Sequence, residues 1–164
     1  MAEVGPEIGA VIRHAYLWWN EARTGREEGR KDRPCVIVHL RVNEHKELET
    51  YICPVTHAPP EIPEKAMEIP RKTKARLGLD DERSWIITTE VNRFIWPGPD
   101  LRPVPGGEYS YGLLPGAMTR DLIAQVKANA KDKSLVVVGR TGETQGWIQS
   151  ASIFATALYA FAGQ

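Results

Sequence analysis

Two short segments of this chain hold residues whose types and spacing suit chemistry on a charged substrate. The first, GREEGRKDRP at 25–34, ends in Arg33. Its guanidinium is always charged and presents a planar fork of donors that matches a phosphate. It stands where a charged loop meets the apolar run PCVIVHLRV, so a buried strand would hold its base rigid. The competing role is a surface arginine paired to Asp32 or Glu28. Arg26, in the same loop, can bind phosphate but cannot shuttle protons, because arginine does not deprotonate in proteins. Glu27 and Glu28 could orient Arg33 or accept a proton; solvated loop charges are the other reading. The second segment is CPVTH at 53–57. The Thr56 hydroxyl, at a strand end, could donate to an anionic ligand or close a turn on its own backbone. His57 follows, and histidine is the residue type best suited to proton transfer near neutral pH. A plain surface histidine is the alternative. His14, His39 and His45, in or beside strand-like runs, read as structural.

No metal or cofactor is expected. Cys35 and Cys53 lie inside apolar runs, where a thiol behaves as a small hydrophobe, and no Cys/His set has zinc spacing.

These residues need a scaffold, and the pattern predicts mostly strands. Residues 8–19 are rich in β-branched and aromatic types and read as a first strand, followed by a loop over 20–32. PCVIVHLRV and LETYICPV read as a hairpin across the polar turn NEHKE. Prolines make 56–65 a loop, and KAMEIP is a short strand. RKTKARLGLDDER holds one helical turn closing at Gly78, or a basic loop. SWIITTEVNRFIW reads as one long strand, and PGPDLRPVPGGEYSYG as turns. Met118, Leu122, Ile123 and Val126 form a helical stripe near 115–131, started by Pro115 or Thr119. SLVVVGR is a further strand. The expected organisation is a barrel domain over 1–142 and an apolar tail over 143–164, read as a terminal helix or a docking segment.

The bulk composition bounds the function. The 164 residues suit one domain, with 42% hydrophobic and 26% charged residues. Basic and acidic residues balance at 21 each, which argues against a general coat of positive charge but leaves room for a local basic patch. The N-terminus lacks a signal-peptide apolar core, and no run approaches about 18 apolar residues, so the expectation is a cytoplasmic protein with no membrane association.

Three blocks, in order, resemble the PemK/MazF toxin family: GREEGRKDRPCVIV (25–38), CPVTH (53–57) and LGLDDERSWIITTEVN (77–92). The resemblance covers roughly residues 8–131. It implies a mainly β fold with a C-terminal helix, a small SH3-like barrel. It also implies the toxin of a type II toxin–antitoxin system: a homodimer that cleaves single-stranded RNA without a metal, restrained by a cognate antitoxin and reaching operator DNA through that complex. Arg33, Thr56 and Glu27 fall on catalytic positions. Arg26, Glu28, His57, Glu90 and Asn92 are placed at RNA contacts, with Glu90 and Asn92 also able to hold a loop. Arg26 stands where some relatives carry a catalytic histidine, which His57 could replace. The third block departs from the pattern: Ile87 and Thr89 occupy places where relatives carry Arg and Asp.

Trp18, Trp19, Trp85 and Trp96 could stack on unpaired bases or fill a core or interface. RKTKAR (71–76) could follow a phosphate backbone or form a solvated loop. The alternative function is a non-catalytic nucleic-acid- or antitoxin-binding module on the same fold; an unrelated small-barrel interaction protein is a further one.

Overall fold

The computed structural model describes residues 5–24, 31–139 and 148–149. In chain order its elements are β1 (Ala10–His14), α1 (Trp19–Arg23), β2 (Arg33–Val42), β3 (Leu48–Thr56), a 3-10 turn (Pro63–Lys65), β4 (Ala66–Glu68) and α2 (Arg71–Arg76). They continue with β5 (Trp85–Ile87), β6 (Glu90–Ile95), β7 (Leu101–Arg102), β8 (Ser110–Leu113), α3 (Gly116–Lys131), β9 (Val136–Gly139) and β10 (Ile148–Gln149). The chain is mainly β. The strands lie in the order β10-β9-β6-β3-β2-β1-β7, with β8 also on β1, β5 on β3, and β4 on β5. All pairs are antiparallel except β6 and β9. A parallel pair needs a long crossover, and the chain makes it through β7, β8 and α3.

The apolar runs are continuous because the central strands are buried on both faces. Val36 and Val38 of β2 join Val11, Tyr51, Cys53 and Val55 in a core covered by Leu122 and Val126 of α3. Cys35 and Ile37 point the other way, into a second core with Ile12, Tyr16, Ile52 and Phe94. Alternation along a strand sends neighbours to opposite faces, so two buried faces make most positions of both strands apolar, with His39 and Thr50 as buried polar residues among them. The same alternation separates the two thiols. Cys35 and Cys53 are both buried and free, in different cores.

Several boundaries differ from the sequence expectation, each for a tertiary reason. The first strand stops at His14, and residues 19–23, expected as strand end and loop, are α1. Beyond His14 the backbone is captured by other groups: Ala15 N–H donates to the Asp100 carbonyl at 2.9 Å, and Leu17 N–H to Asn92 Oδ1 at 2.9 Å. The single strand expected over 84–96 is two, β5 and β6, broken at Thr88. There Thr88 N–H donates to the Lys65 carbonyl, and the Asn129 amide donates to both Thr88 oxygens at 2.9 Å. The turn-rich segment after residue 96 contributes β7 and β8, which pair with β1. Of the two readings of RKTKARLGLDDER, the helix is the observed one, ending before Gly78 at φ 71°. Alpha-helix α3 spans the stripe expected near 115–131, and β9 and β10 follow it. Of the apolar tail expected over 143–164, all but residues 148 and 149 lie outside the described residues. Among the described residues, no helix is long and apolar enough to cross a membrane, and no pairing joins the two ends of the strand order.

Candidate functional site

The β2–β3 hairpin places the site. Cys35 pairs with Pro54 at the end of the ladder; Arg33, at the start of β2, stands two residues before it, and Thr56, at the end of β3, two residues after Pro54. Around this corner is a cleft of about 770 Å³. Its walls come from the end of β3 (Thr56, His57), the start of β2 (Arg33), α2 and the loop after it (Lys74, Asp80), and Trp18 and Tyr111. Three of the residues singled out in the sequence, Arg33, Thr56 and His57, therefore line one cleft.

Arg33 is held without being neutralised by its sequence neighbour. Its guanidinium carbon lies 4.8 Å from the centre of the Trp18 ring, and Nη1 donates to the Val55 carbonyl at 3.3 Å. A stacked guanidinium keeps its in-plane donors for other partners. Its buried Nε has no hydrogen-bond partner among the described residues. Of the two expected alternatives, the pair with Asp32 does not form, and Glu28 lies outside the described residues. Asp32 faces Arg13 at 3.4 Å and Arg102 at 3.7 Å.

Thr56 performs the turn role and leaves a donor over. Its Oγ1 accepts the Ala58 N–H at 3.1 Å, which uses a lone pair and not the hydroxyl proton. His57, half exposed, is the most constrained exposed side chain of the cleft. Nε2 lies 2.8 Å from Asp80 Oδ2, and Nδ1 lies 3.1 Å from Glu82 Oε2. Asp80 is in turn bound by the buried Lys74, whose ammonium lies 2.5 Å from Oδ1. Lys74 also donates to Ser84 Oγ at 2.6 Å and to the Glu82 carbonyl. Partial burial works against ionisation of Asp80, but the hydrogen bonds and charges of Lys74 and His57 outweigh it and hold the carboxyl below its ordinary range. The sequence reading took Lys74 only as part of a basic stretch and passed over Asp80. The available signal was a lysine one turn before a Gly-Leu-Asp-Asp-Glu turn, at a buried position of a short helix.

His57, Asp80 and Glu82 bring three ligand atoms within 4.8 Å of one another, the spacing of a metal site. Their arrangement fits a metal poorly. The two carboxylates face different ring nitrogens, which point away from each other, and one cation can take only one of them. Lys74 already occupies Asp80.

Glu90 and Asn92 lie behind the cleft and hold its wall. Glu90 Oε1 accepts the Trp19 N–H at 2.8 Å and the Tyr16 hydroxyl at 3.2 Å. Burial pushes its carboxyl up to about 7, against the pull of those bonds and of Arg33. Asn92 is fully buried, with its amide donating to the Leu17 carbonyl at 2.7 Å and accepting the Leu17 N–H. Of the two roles open to them in the sequence, the geometry supplies the loop-holding one: together they fix residues 17–19, and so the Trp18 ring under Arg33. Arg26, Glu27 and Glu28 lie outside the described residues. Ile87 is paired to Ala66 in β5, and Thr89 gives its carbonyl to Val136 N–H. Trp85 and Trp96 do not line the cleft, and Trp96 packs against the second core. No protein-family model matches the chain, and no curated protein matches it.

Proposed function

We propose that the chain is a metal-independent endoribonuclease, the toxin component of a type II toxin–antitoxin system with the PemK/MazF chemistry. The observation that carries the reading is the convergence of Arg33, Thr56 and His57 on one cleft. Cleavage of RNA by its own 2′-hydroxyl needs charge stabilisation at a pentavalent phosphorus, donors to its oxygens, and proton transfer on either side. Arg33 supplies the fixed charge and its unfilled donors, Thr56 a hydroxyl donor, and His57 the group able to move a proton. Glu27, at the loop glutamate of the resemblance, is the carboxylate that orients Arg33 or acts as base. Trp18 and Tyr111 give the cleft aromatic faces suited to unpaired bases, and Arg13 and Lys31 add positive charge for the backbone. In this reading the bent sheet, with β5 and β4 turned off β3, is an SH3-like barrel. The protein is cytoplasmic and homodimeric, and an antitoxin segment competes for the same cleft.

A second reading, a non-catalytic nucleic-acid- or antitoxin-binding module, draws support from Ile87 and Thr89, which bring no acid, base or charge to the third block. One gel assay separates the two. A long single-stranded RNA is incubated with the parent, Arg33→Ala and Thr56→Ala proteins in EDTA. Discrete cuts by the parent alone support the nuclease; shifted but uncut RNA in every lane supports the binding module.

A further inference from the structure

We infer that Lys74 and Asp80 are positioning residues that hold His57 as the proton donor to the leaving 5′-oxygen, with Nε2 anchored on Asp80 and Nδ1 as the donating nitrogen. This rests on the ribonuclease reading above and adds to it the residues behind the histidine and the direction of proton flow.

A neutral imidazole donates from one nitrogen only; in His57 the nitrogen hydrogen-bonded to a carboxylate is Nε2, 2.8 Å from Asp80 Oδ2, while Nδ1 lies 3.1 Å from Glu82 Oε2 without a hydrogen bond to it. The two carboxylates differ in how they are held. Asp80 Oδ1 is fixed by Lys74, whose side chain is 5% exposed, and accepts the Glu82 N–H at 3.2 Å. Lys74 is itself tied to Ser84 and the Glu82 carbonyl. Glu82 is 68% exposed at its side chain, and its carboxylate meets only His57 among the described residues. An anchored acceptor on Nε2 sets the ring's orientation, as the carboxylate does behind a catalytic histidine in general. Nδ1, which makes no hydrogen bond to the exposed Glu82, is the nitrogen left to a substrate.

The step then balances. The 2′-hydroxyl gives its proton to a carboxylate base on its own side, and the 2′-oxygen forms a bond to phosphorus. The P–O5′ bond breaks with its electron pair going to O5′. The Nδ1 proton of His57 passes to that oxygen, leaving a neutral ring whose remaining proton stays on Nε2 against Asp80. The products are a 2′,3′-cyclic phosphate and a 5′-hydroxyl, and the ring regains its proton from water. Arg33 and Thr56 act on the phosphoryl oxygens and do not take part in this transfer.

The test uses two RNAs that differ in one atom: an ordinary linkage, and one whose 5′-bridging oxygen is sulfur. A thiolate leaves without being protonated, so a defect in the proton donor disappears on the sulfur substrate. On the oxygen substrate His57→Gln and Asp80→Asn are expected to lose at least about 100-fold in rate. On the sulfur substrate both return to within a few-fold of the parent. Glu82→Gln stays close to the parent on both, and Arg33→Ala is slow on both. Asp80 is half exposed, so Asp80→Asn carries the test even where replacing the buried Lys74 lowers stability; melting curves of each variant accompany the rates. If the parent cuts both RNAs and the Asp80→Asn defect persists on sulfur, or His57→Gln cuts the oxygen substrate at the parent's rate, the positioning role is overturned while the nuclease reading stands. A parent that cuts neither RNA overturns the nuclease reading and this inference with it.

Discussion

Arg33 and Thr56, at the start of β2 and the end of β3, line one cleft, and the ladder that leads to them shifts by one residue between Ile37 and His39. On the turn side His39 pairs with Tyr51; beyond the shift Ile37 pairs with Ile52 and Cys35 with Pro54. A bulge inserts one residue and moves every later partner by one. Beyond it, a phosphate-matching guanidinium and a spare hydroxyl proton line the same cleft.

That arrangement predicts the response to small changes at both positions. Arg33→Ala is expected to lower RNA cleavage by about 10²–10³-fold, the scale for removing one fixed donor at developing negative charge. Arg33→Lys keeps the charge but loses the fork and the Trp18 stack, and falls by at least about tenfold. Thr56→Ser retains most activity, whereas Thr56→Val loses the donor. Initial rates on a defined single-stranded RNA, with binding measured separately, check all of these; equal rates for Thr56→Val and Thr56→Ser would remove Thr56 from the chemistry.

Asn92 tests the scaffold independently of activity. Asn92→Leu leaves the N–H and carbonyl of Leu17 without their side-chain partner in a residue that is 3% exposed. Unmet buried polar groups cost roughly 1–3 kcal/mol each, so a loss of about 2–5 kcal/mol is expected in urea unfolding. A loss below about 1 kcal/mol would show that water replaces the amide and that the wall under Trp18 does not depend on it.

Glu90 predicts a pH dependence of stability. Its carboxyl is raised in the fold from 4.5 to about 7, chiefly by burial. The folded state therefore holds a proton that the unfolded chain has released. The contribution is fully present below about pH 4.5 and is lost as pH rises through about 7. Over that window the parent should lose roughly 3 kcal/mol from this group, at about 1.4 kcal/mol per unit of pH. Glu90→Gln removes that slope while keeping an acceptor for the Trp19 N–H. Denaturant midpoints of both proteins from pH 4.5 to 8 measure the difference, and parallel curves would contradict it.

Trp18 predicts a coupling. Trp18→Ala removes the face on which the Arg33 guanidinium rests at 4.8 Å. It should reduce cleavage in the Arg33 parent by about tenfold and change little in Arg33→Ala, because the two side chains act as one unit. A double-mutant cycle reads the coupling directly; additive losses would separate the two roles.

The residues themselves settled a good part of this protein. Continuous apolar runs in 34–42 and 48–55 required a hairpin buried on both faces, and the polar Asn43–Glu47 turn between them set its loop. The stripe of Met118, Leu122, Ile123 and Val126 required a helix, because that spacing buries one face only in a 3.6-residue repeat. The types of Arg33, Thr56 and His57, standing at strand ends, pointed to anion chemistry before any fold was known. These are local properties, carried by periodicity and side-chain chemistry.

What only the tertiary structure decided depends on contacts distant in the chain. The bulge beside His39 has no local signature, yet it moves every pairing from Ile37 to Cys35 by one residue. The break at Thr88 comes from Asn129 and Lys65, 41 and 23 positions away, which capture its backbone in the middle of an otherwise good strand pattern. The end of β1 is set by Asp100 and Asn92 in the same way. Asp80 and Lys74 looked like ordinary surface charges in a charged stretch. Their meaning appears only where the turn after α2 folds back beside the end of β3, because a lysine buried at 4% exposure must find a carboxylate for its ammonium, and that carboxylate then faces His57.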